Sequence, residues 1–199
     1  MAYFELKRPG GKDNMGGYSV KGWLAPLPDF QVIKGLKAPG APGDSVTING
    51  SHVFNASKGW IPIYSTLKSA KTMMEAFAEV GVSGAKVTGE LFRPGTSKLD
   101  AEFARQAQND EFILILKDIN NHSDGTKRLL QFGSEEIPVS LKVSHDSATV
   151  DSGKKGFTFK IETYQLGLQF YEGADPDTAL AANALPSAIS LDDAATFVD

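Results

Sequence analysis

The stretch SLKVSHDSATVDSGKKGF, residues 140–157, sets a histidine between a serine and an aspartate, then two lysines between glycines. Three chemistries use such residues: a nucleophilic relay, a metal site and a phosphate cradle. The relay fails on spacing. Ser144, His145 and Asp146 are adjacent, and neighbours on a strand point to alternate faces, whereas a serine–histidine–aspartate relay draws its partners from separate segments. DSGKKG lacks the spacing of a phosphate-binding loop and no helix follows it, so a charged turn between IPVSLKV and GFTFKIE is expected. His52, His122 and His145 lie far apart with no carboxylate cluster beside them, which leaves metal binding without a local signal. KRPGGK, residues 7–12, reads as a solvated loop. No catalytic, cofactor-binding or metal-ligating residue is therefore assigned, and the chain is not expected to be an enzyme.

The elements around that stretch decide what else the chain can do. With 199 residues and 41% hydrophobic content, it can bury one substantial core. The absence of cysteine removes thiolate chemistry and disulfides. MAYFELKRPGG lacks the apolar region of a signal peptide, and no run reaches the length of a membrane span, so a cytosolic product with no membrane partner is expected. The net charge is −4, yet the chain after Lys160 has acidic residues and no lysine or arginine, so residues 1–160 are mildly positive. That is not the basic stripe of a tight nucleic-acid binder.

Residues 1–50 are crowded with Gly and Pro, in RPGGKDNMGGY, APLPDF and KAPGAPGDS, and read as an N-terminal arm and loops. From Ser51 strand-type runs follow. HVFNASKGWIPIYSTL is interrupted at Pro62, which marks an edge or a bulge. AKVTGELFRPG and EFILILKDI should be central strands, the second buried on both faces from Phe112 to Leu116. Asp124-Gly125 signals a type I′ hairpin. KRLLQF, IPVSLKV and GFTFKIETYQL complete a half-buried antiparallel sheet, the last alternating Phe157, Phe159 and Ile161 against Thr158, Lys160 and Glu162.

Ser97 caps a helix over KLDAEFARQAQ. In residues 66–80, Ala70, Met74 and Phe77 fit a helical face, so local pattern favours a helix there. The division is then a 1–50 arm, a 51–171 β core and a 172–199 acidic, Ala-rich extension with too few large apolar residues for its own core. A chain lacking residues 1–45 or 173–199 is accordingly expected to keep its fold.

The ordered series SKGWIPIYSTL, GELFRPGTSKLDAEFARQAQNDEFILILKDINN, GTKRLLQFGSEEIPVSLKV and SGKKGFTFKIE resembles the tail-tube-like structural proteins of tailed phages and prophages, over about Asn55 to Glu162. The relatives' counterpart of TLKSAKTMMEAFAEVG tends to be extended, against the helical pattern. The resemblance implies a mainly β, α+β fold, an antiparallel barrel or sandwich with one flanking helix, to which the residue-level reading adds extended N- and C-terminal arms outside the matched stretch. It also implies a virion location, assembly in the host cytoplasm, and no cofactor. Copies would join into rings, usually hexameric, that stack into a tube with other tail proteins, and DNA would pass without specific binding. Edge strands that would aggregate in a monomer become interfaces when a ring closes. An acidic lumen would repel phosphates, with Asp118, Asp124, Glu135 and Glu136 as candidates. Trp60, Ile63, Tyr64, Phe30, Val32, Ile33, Phe197 and Val198 are candidate subunit contacts, although the aromatics of GWIPIY fit a core equally well. Two alternatives remain: another virion component such as a tail terminator, baseplate ring or capsid-associated protein, and a small β-sandwich enzyme or sugar-binding module, for which only Trp23 and Trp60 could supply indole platforms.

Overall fold

The computed structural model describes residues 15–66, 68–79, 82–121, 125–149 and 153–179. Among these lie eleven strands and one α-helix. In chain order they are β1 (Tyr18–Pro26), β2 (Phe30–Val32), β3 (Val53–Phe54), β4 (Ile61–Tyr64), β5 (Lys71–Glu79), β6 (Val82–Pro94), α1 (Lys98–Ala107), β7 (Glu111–Asp118), β8 (Leu129–Phe132), β9 (Val139–Asp146), β10 (Gly156–Gln165) and β11 (Gln169–Phe170). The protein is thus mainly β with a large antiparallel sheet, as its strand-type runs predict. Nine strands share that sheet in the path β11-β8-β7-β9-β10-β6-β5, with β1 on the other edge of β7 and β4 beyond β1. β2 and β3 form a separate pair.

β7 organises the molecule. Its run Phe112 to Leu116 is buried throughout, and because side chains alternate along a strand it feeds two cores at once. Phe112, Leu114 and Leu116 join Leu24, Val87, Leu91, Phe132, Leu141, Phe159 and Ile161 in the larger core. That core holds residues of both β1 and β10, so the two halves of the sheet face each other across it. Ile113 and Ile115 join Trp23, Ala25, Phe30, Ile48, Trp60 and Tyr171 in the smaller core, under the β2–β3 pair. Helix α1 starts as its sequence dictates: the Ser97 side chain accepts the Asp100 N–H at 3.0 Å, and the apolar face sets Ala104 and Ala107 into the larger core. Phe103 packs edge-on against Phe159 at 5.8 Å.

Three expectations are corrected. First, the breaker-rich residues 1–50 are not an arm throughout, because β1 is an inner strand. It pairs with β4 over Lys21 to Leu24 and with β7 over Gly22 to Pro26, burying Trp23, Leu24 and Ala25 almost completely. Its glycine is a packing device. A Cβ at Gly22 would lie 2.7 Å from Leu116 Cδ2 and 3.1 Å from Ile115 O, so only glycine lets β1 approach β7 this closely.

Second, between the helix that local spacing favours over residues 66–80 and the extended run that the resemblance implies, residues 71–79 are strand. β5 pairs with β6 in an unbroken register from Lys71↔Glu90 to Glu79↔Val82. Spacing suited to a buried helical face arises here on a strand that buries no such face, since Met73, Met74 and Phe77 are all exposed. Third, the strands flanking Asp124-Gly125 stop at Asp118 and resume at Leu129, too far apart for a two-residue turn. Gly125 does adopt positive φ (+84°), and Asp124 lies outside the described residues. The alternation in β10 holds, with Phe157, Phe159 and Ile161 buried.

Candidate assembly surface

Strands β5, β6, β10 and β9 form a four-stranded antiparallel layer with two unlike faces. Directly opposed residues share a face. One face carries Leu141, Phe159, Ile161, Val87 and Leu91 into the larger core. The registers align Lys71, Glu90, Lys160 and Lys142 in one row of the other face. Met73, Thr88, Glu162 and Ser140 form the next row, and Glu75, Lys86 and Tyr164 the third. Lys86 meets Glu162 at 2.9 Å, with Lys142 and Glu162 at 3.6 Å and Lys71 and Glu90 at 3.6 Å. Lys86 also lies 5.8 Å over the Tyr164 ring, against which Phe77 packs edge-on. The hydrogen bond from Lys86, helped by the charge of Lys142, holds the half-buried Glu162 carboxyl below its usual pKa. Among the described side chains of this face, four lysines stand against three glutamates and Asp146, so the charges balance.

Among the described residues β5 pairs with β6 alone, and the outer edge of β9 pairs with β7 only at Val139 and Ser140, which leaves it open from Leu141 to Asp146. Exposed along β5 are Met73 (58%), Met74 (44%) and Phe77 (41%), an apolar edge of the kind proteins normally blunt.

The edge of β4, by contrast, is closed. Ser65 donates its N–H to Val20 O on the β1 side at 2.8 Å, and N–H groups alternate sides along a strand, so those of Trp60 and Tyr64 face outward. Between them Pro62 has no N–H to offer. Trp60 donates its own to Ala179 O at 2.7 Å. The candidate contacts in this region are therefore core residues: Trp60 is 1% exposed, Ile63 8% and Phe30 9%. Tyr64 and Ile33 are half-buried, and only Val32 is well exposed, beside Val53 of β3. Phe197 and Val198 lie outside the described residues.

The acidic lumen candidates do not share one surface. Asp118 ends β7, accepts from the Asn120 N–H at 2.9 Å and faces Arg128 at 3.7 Å. Glu135 and Glu136 are exposed in the bend between β8 and β9, beside Phe112 at the other end of β7. Six residues of strand, about 20 Å, separate the two places. A groove of about 300 Å³ runs past Met15, Tyr18, Thr72, Asp118 and Asn120, and these groups largely satisfy one another: Tyr18 and Thr72 hydroxyls meet at 2.6 Å, and Asn120 Nδ2 donates to Met15 O at 2.8 Å.

Residues 171–179 form a strap over the smaller core. Tyr171 donates its N–H to Leu129 O and Ala174 donates to Ser51 Oγ. Asp177 then enters a clasp on β1, accepting from Lys21 Nζ and, at 3.0 Å, from the Trp23 indole N–H. Lys127 binds Asp175 at 2.5 Å and lies 3.6 Å from Asp177. Burial works against the Asp177 carboxylate, yet the bonds from Lys21 and Trp23 hold its pKa below the aspartate range. Burial likewise opposes the Lys21 ammonium, which Asp177 nonetheless raises. The 172–199 extension thus begins as part of the body.

Ser144, His145 and Asp146 do not converge on β9. His145 lies on the core face, tilted over Phe157 at 4.8 Å with Nε2 bonded to Thr96 Oγ1 at 2.9 Å, while its neighbours Ser144 and Asp146 alternate to the other side. Gly153 to Lys155 lie in the connection from β9 to β10. Residues 7–12 and His122 lie outside the described residues. Among the described residues no group of three or more His, Asp or Glu could hold a metal ion, and no helix is long and apolar enough to cross a membrane.

His52 is the one buried histidine among those described. Its Nδ1 accepts the Lys34 N–H at 3.0 Å and its Nε2 bonds Gln131 Oε1 at 2.8 Å, which fixes a neutral ring with the proton on Nε2. Phe30, Trp60 and Tyr171 surround it at 5.4–5.8 Å. Burial pushes its pKa below the ordinary 6.5; the Gln131 bond opposes this and the charge of Lys34 adds to it. Because the unfolded chain takes up the proton first, stability is complete above about pH 6.5 and falls as pH drops through the folded-state pKa. Wild-type protein should therefore lose melting temperature between pH 7.5 and 5.5. His52→Gln should be less stable at pH 7.5 but lose less over that interval. Equal losses in both would refute the assignment.

Comparison with family models, with curated proteins and with solved structures finds no match for this chain.

Proposed function

We propose that this protein is a structural, ring-forming virion component of the tail-tube kind, in which copies join edge to edge through the β5–β6–β10–β9 layer. The observation that carries the reading is that one layer has a packed face, an ion-paired polar face, an open edge along β5 and, among the described residues, an edge along β9 that is open beyond Ser140. Its four strands alternate in direction, so β5 of one copy set beside β9 of the next continues the antiparallel order without a mismatch. An odd number of alternating strands would force a parallel junction. Cyclic repetition of such a head-to-tail contact closes a ring and leaves no free edge.

In that ring the polar face, with Lys71, Lys86, Lys142, Lys160, Glu75, Glu90 and Glu162, lines the lumen in place of Asp118, Glu135 and Glu136. Near-balanced, ion-paired charge suits a DNA conduit. Opposite charges one strand apart cancel within the Debye length of about 8 Å, so phosphates meet neither a binding site nor a strong barrier. The sequence resemblance supplies the expectation of a hexameric ring stacked into a tube.

Sedimentation of the purified chain at micromolar to millimolar concentration, with electron microscopy of the heavy fraction, tests the reading. Rings or tubes with a central channel are expected. A species that remains monomeric over that range, alone and with the neighbouring virion proteins, would count decisively against it.

A further inference from the structure

The clasp on β1 holds the carboxylates of the C-terminal strap. Lys21 Nζ and the Trp23 indole N–H converge on one oxygen of Asp177, and Lys127 spans the other oxygen and Asp175. Lys21 and Lys127 also lie 5.4 Å and 6.0 Å over the Trp23 ring, so both cations keep a partner when the carboxylates depart. Beyond Ala174 the strap is held by these polar contacts, by the Trp60 N–H to Ala179 O bond and by Pro176. The four charged side chains are 24–39% exposed, and half-exposed ion pairs are individually weak and screened by salt. Pro176 is its one buried apolar residue beyond Tyr171.

A weakly held arm on a strongly complementary site is exchangeable, and every copy of the chain carries the same arm and the same clasp. Cis or trans occupancy is then set by the effective concentration of each arm and by the strain of folding back. The fold-back is tight at Gly173, where a Cβ would lie 2.5 Å from the Tyr171 ring and 2.8 Å from Ser51 Cα. We propose that the Lys21–Trp23–Lys127 clasp is a carboxylate-binding site that takes residues 175–179 of a second copy as well as its own, so that copies exchange C-terminal arms. In exchange the Ala179 carbonyl that closes the β4 edge at Trp60 comes from the neighbour, and residues 180–199 are handed over with it. The inference rests on the clasp and stands apart from the ring reading.

Full-length chains of normal and heavy isotopic content, mixed at high concentration and then coupled with a zero-length carbodiimide, test it, since that reagent joins an amine only to a carboxylate in contact. After digestion, the joined Lys21–Asp177 and Lys127–Asp175 peptides are read by mass. Mixed-isotope pairs should accumulate during co-incubation, approaching about half of all pairs at full exchange between equal amounts. They should be absent when the chains are mixed immediately before coupling. Gly173→Ala, which strains the fold-back, should raise the mixed share, and Asp175→Asn with Asp177→Asn should abolish the coupling. If both the wild type and Gly173→Ala give only same-isotope pairs after prolonged incubation, the arm is a cis strap and the proposal fails. That result would leave rings seen by microscopy unaffected.

Discussion

A chain lacking residues 1–45 is expected not to fold, showing neither a cooperative melting transition nor the near-ultraviolet signal of a packed core. The deletion removes β1, whose Trp23 and Ala25 belong to the smaller core and whose Leu24 belongs to the larger. It also strips β7 of its partner from Phe112 to Leu116 and leaves β4 with no strand to pair with. Burial of a large apolar side chain contributes about 1.5–3 kcal/mol. Two such losses, with an exposed inner edge and the loss of Phe30 as well, approach the whole stability of a small domain, about 5–15 kcal/mol. The single substitution Trp23→Ala isolates the packing term and should cost about 3–5 kcal/mol in denaturant unfolding. A truncated chain that melts within a few degrees of the full-length protein would return β1 to the status of a dispensable arm.

The second large effect concerns the free edge of β5. Along an edge strand, alternate N–H groups point outward and inward, so of the neighbouring variants Met73→Pro and Met74→Pro one removes an outward donor and the other breaks the ladder to β6. The outward one should keep the wild-type melting curve, because both side chains are exposed, and lose ring formation by at least tenfold in the concentration required. The inward one should lower the melting temperature. If whichever variant keeps its stability also assembles as readily as wild type, then β5 is not the contact, and an interface elsewhere must be sought. Ser97→Ala in the helix cap provides a destabilised control that should still form rings.

What the sequence determined by itself is what local chemistry enforces. The Ser97 cap and the run of β7 were legible because a cap needs only a hydroxyl at the right spacing, and five consecutive apolar residues can be satisfied only by cores on both sides. The alternation of β10 and the inability of Ser144, His145 and Asp146 to converge follow from the period of a strand alone. Tertiary structure decided the rest, wherever a residue's role depends on a partner distant in the chain. β1 is hidden in sequence because RPGGKDNMGGY and APLPDF crowd its two ends with breakers, although its own Gly22 is what allows β1 to lie against Leu116 and Ile115. Residues 71–79 fit a helix by spacing, and β6 made them a strand by offering a ladder of nine residue pairs. Trp60 could have been core or contact until Tyr171 and Ala179 closed over it from more than a hundred residues away. The balanced polar face exists only once register sets Lys86 against Glu162 and Lys71 against Glu90, because a charge acquires its partner from the neighbouring strand and not from its neighbour in the chain.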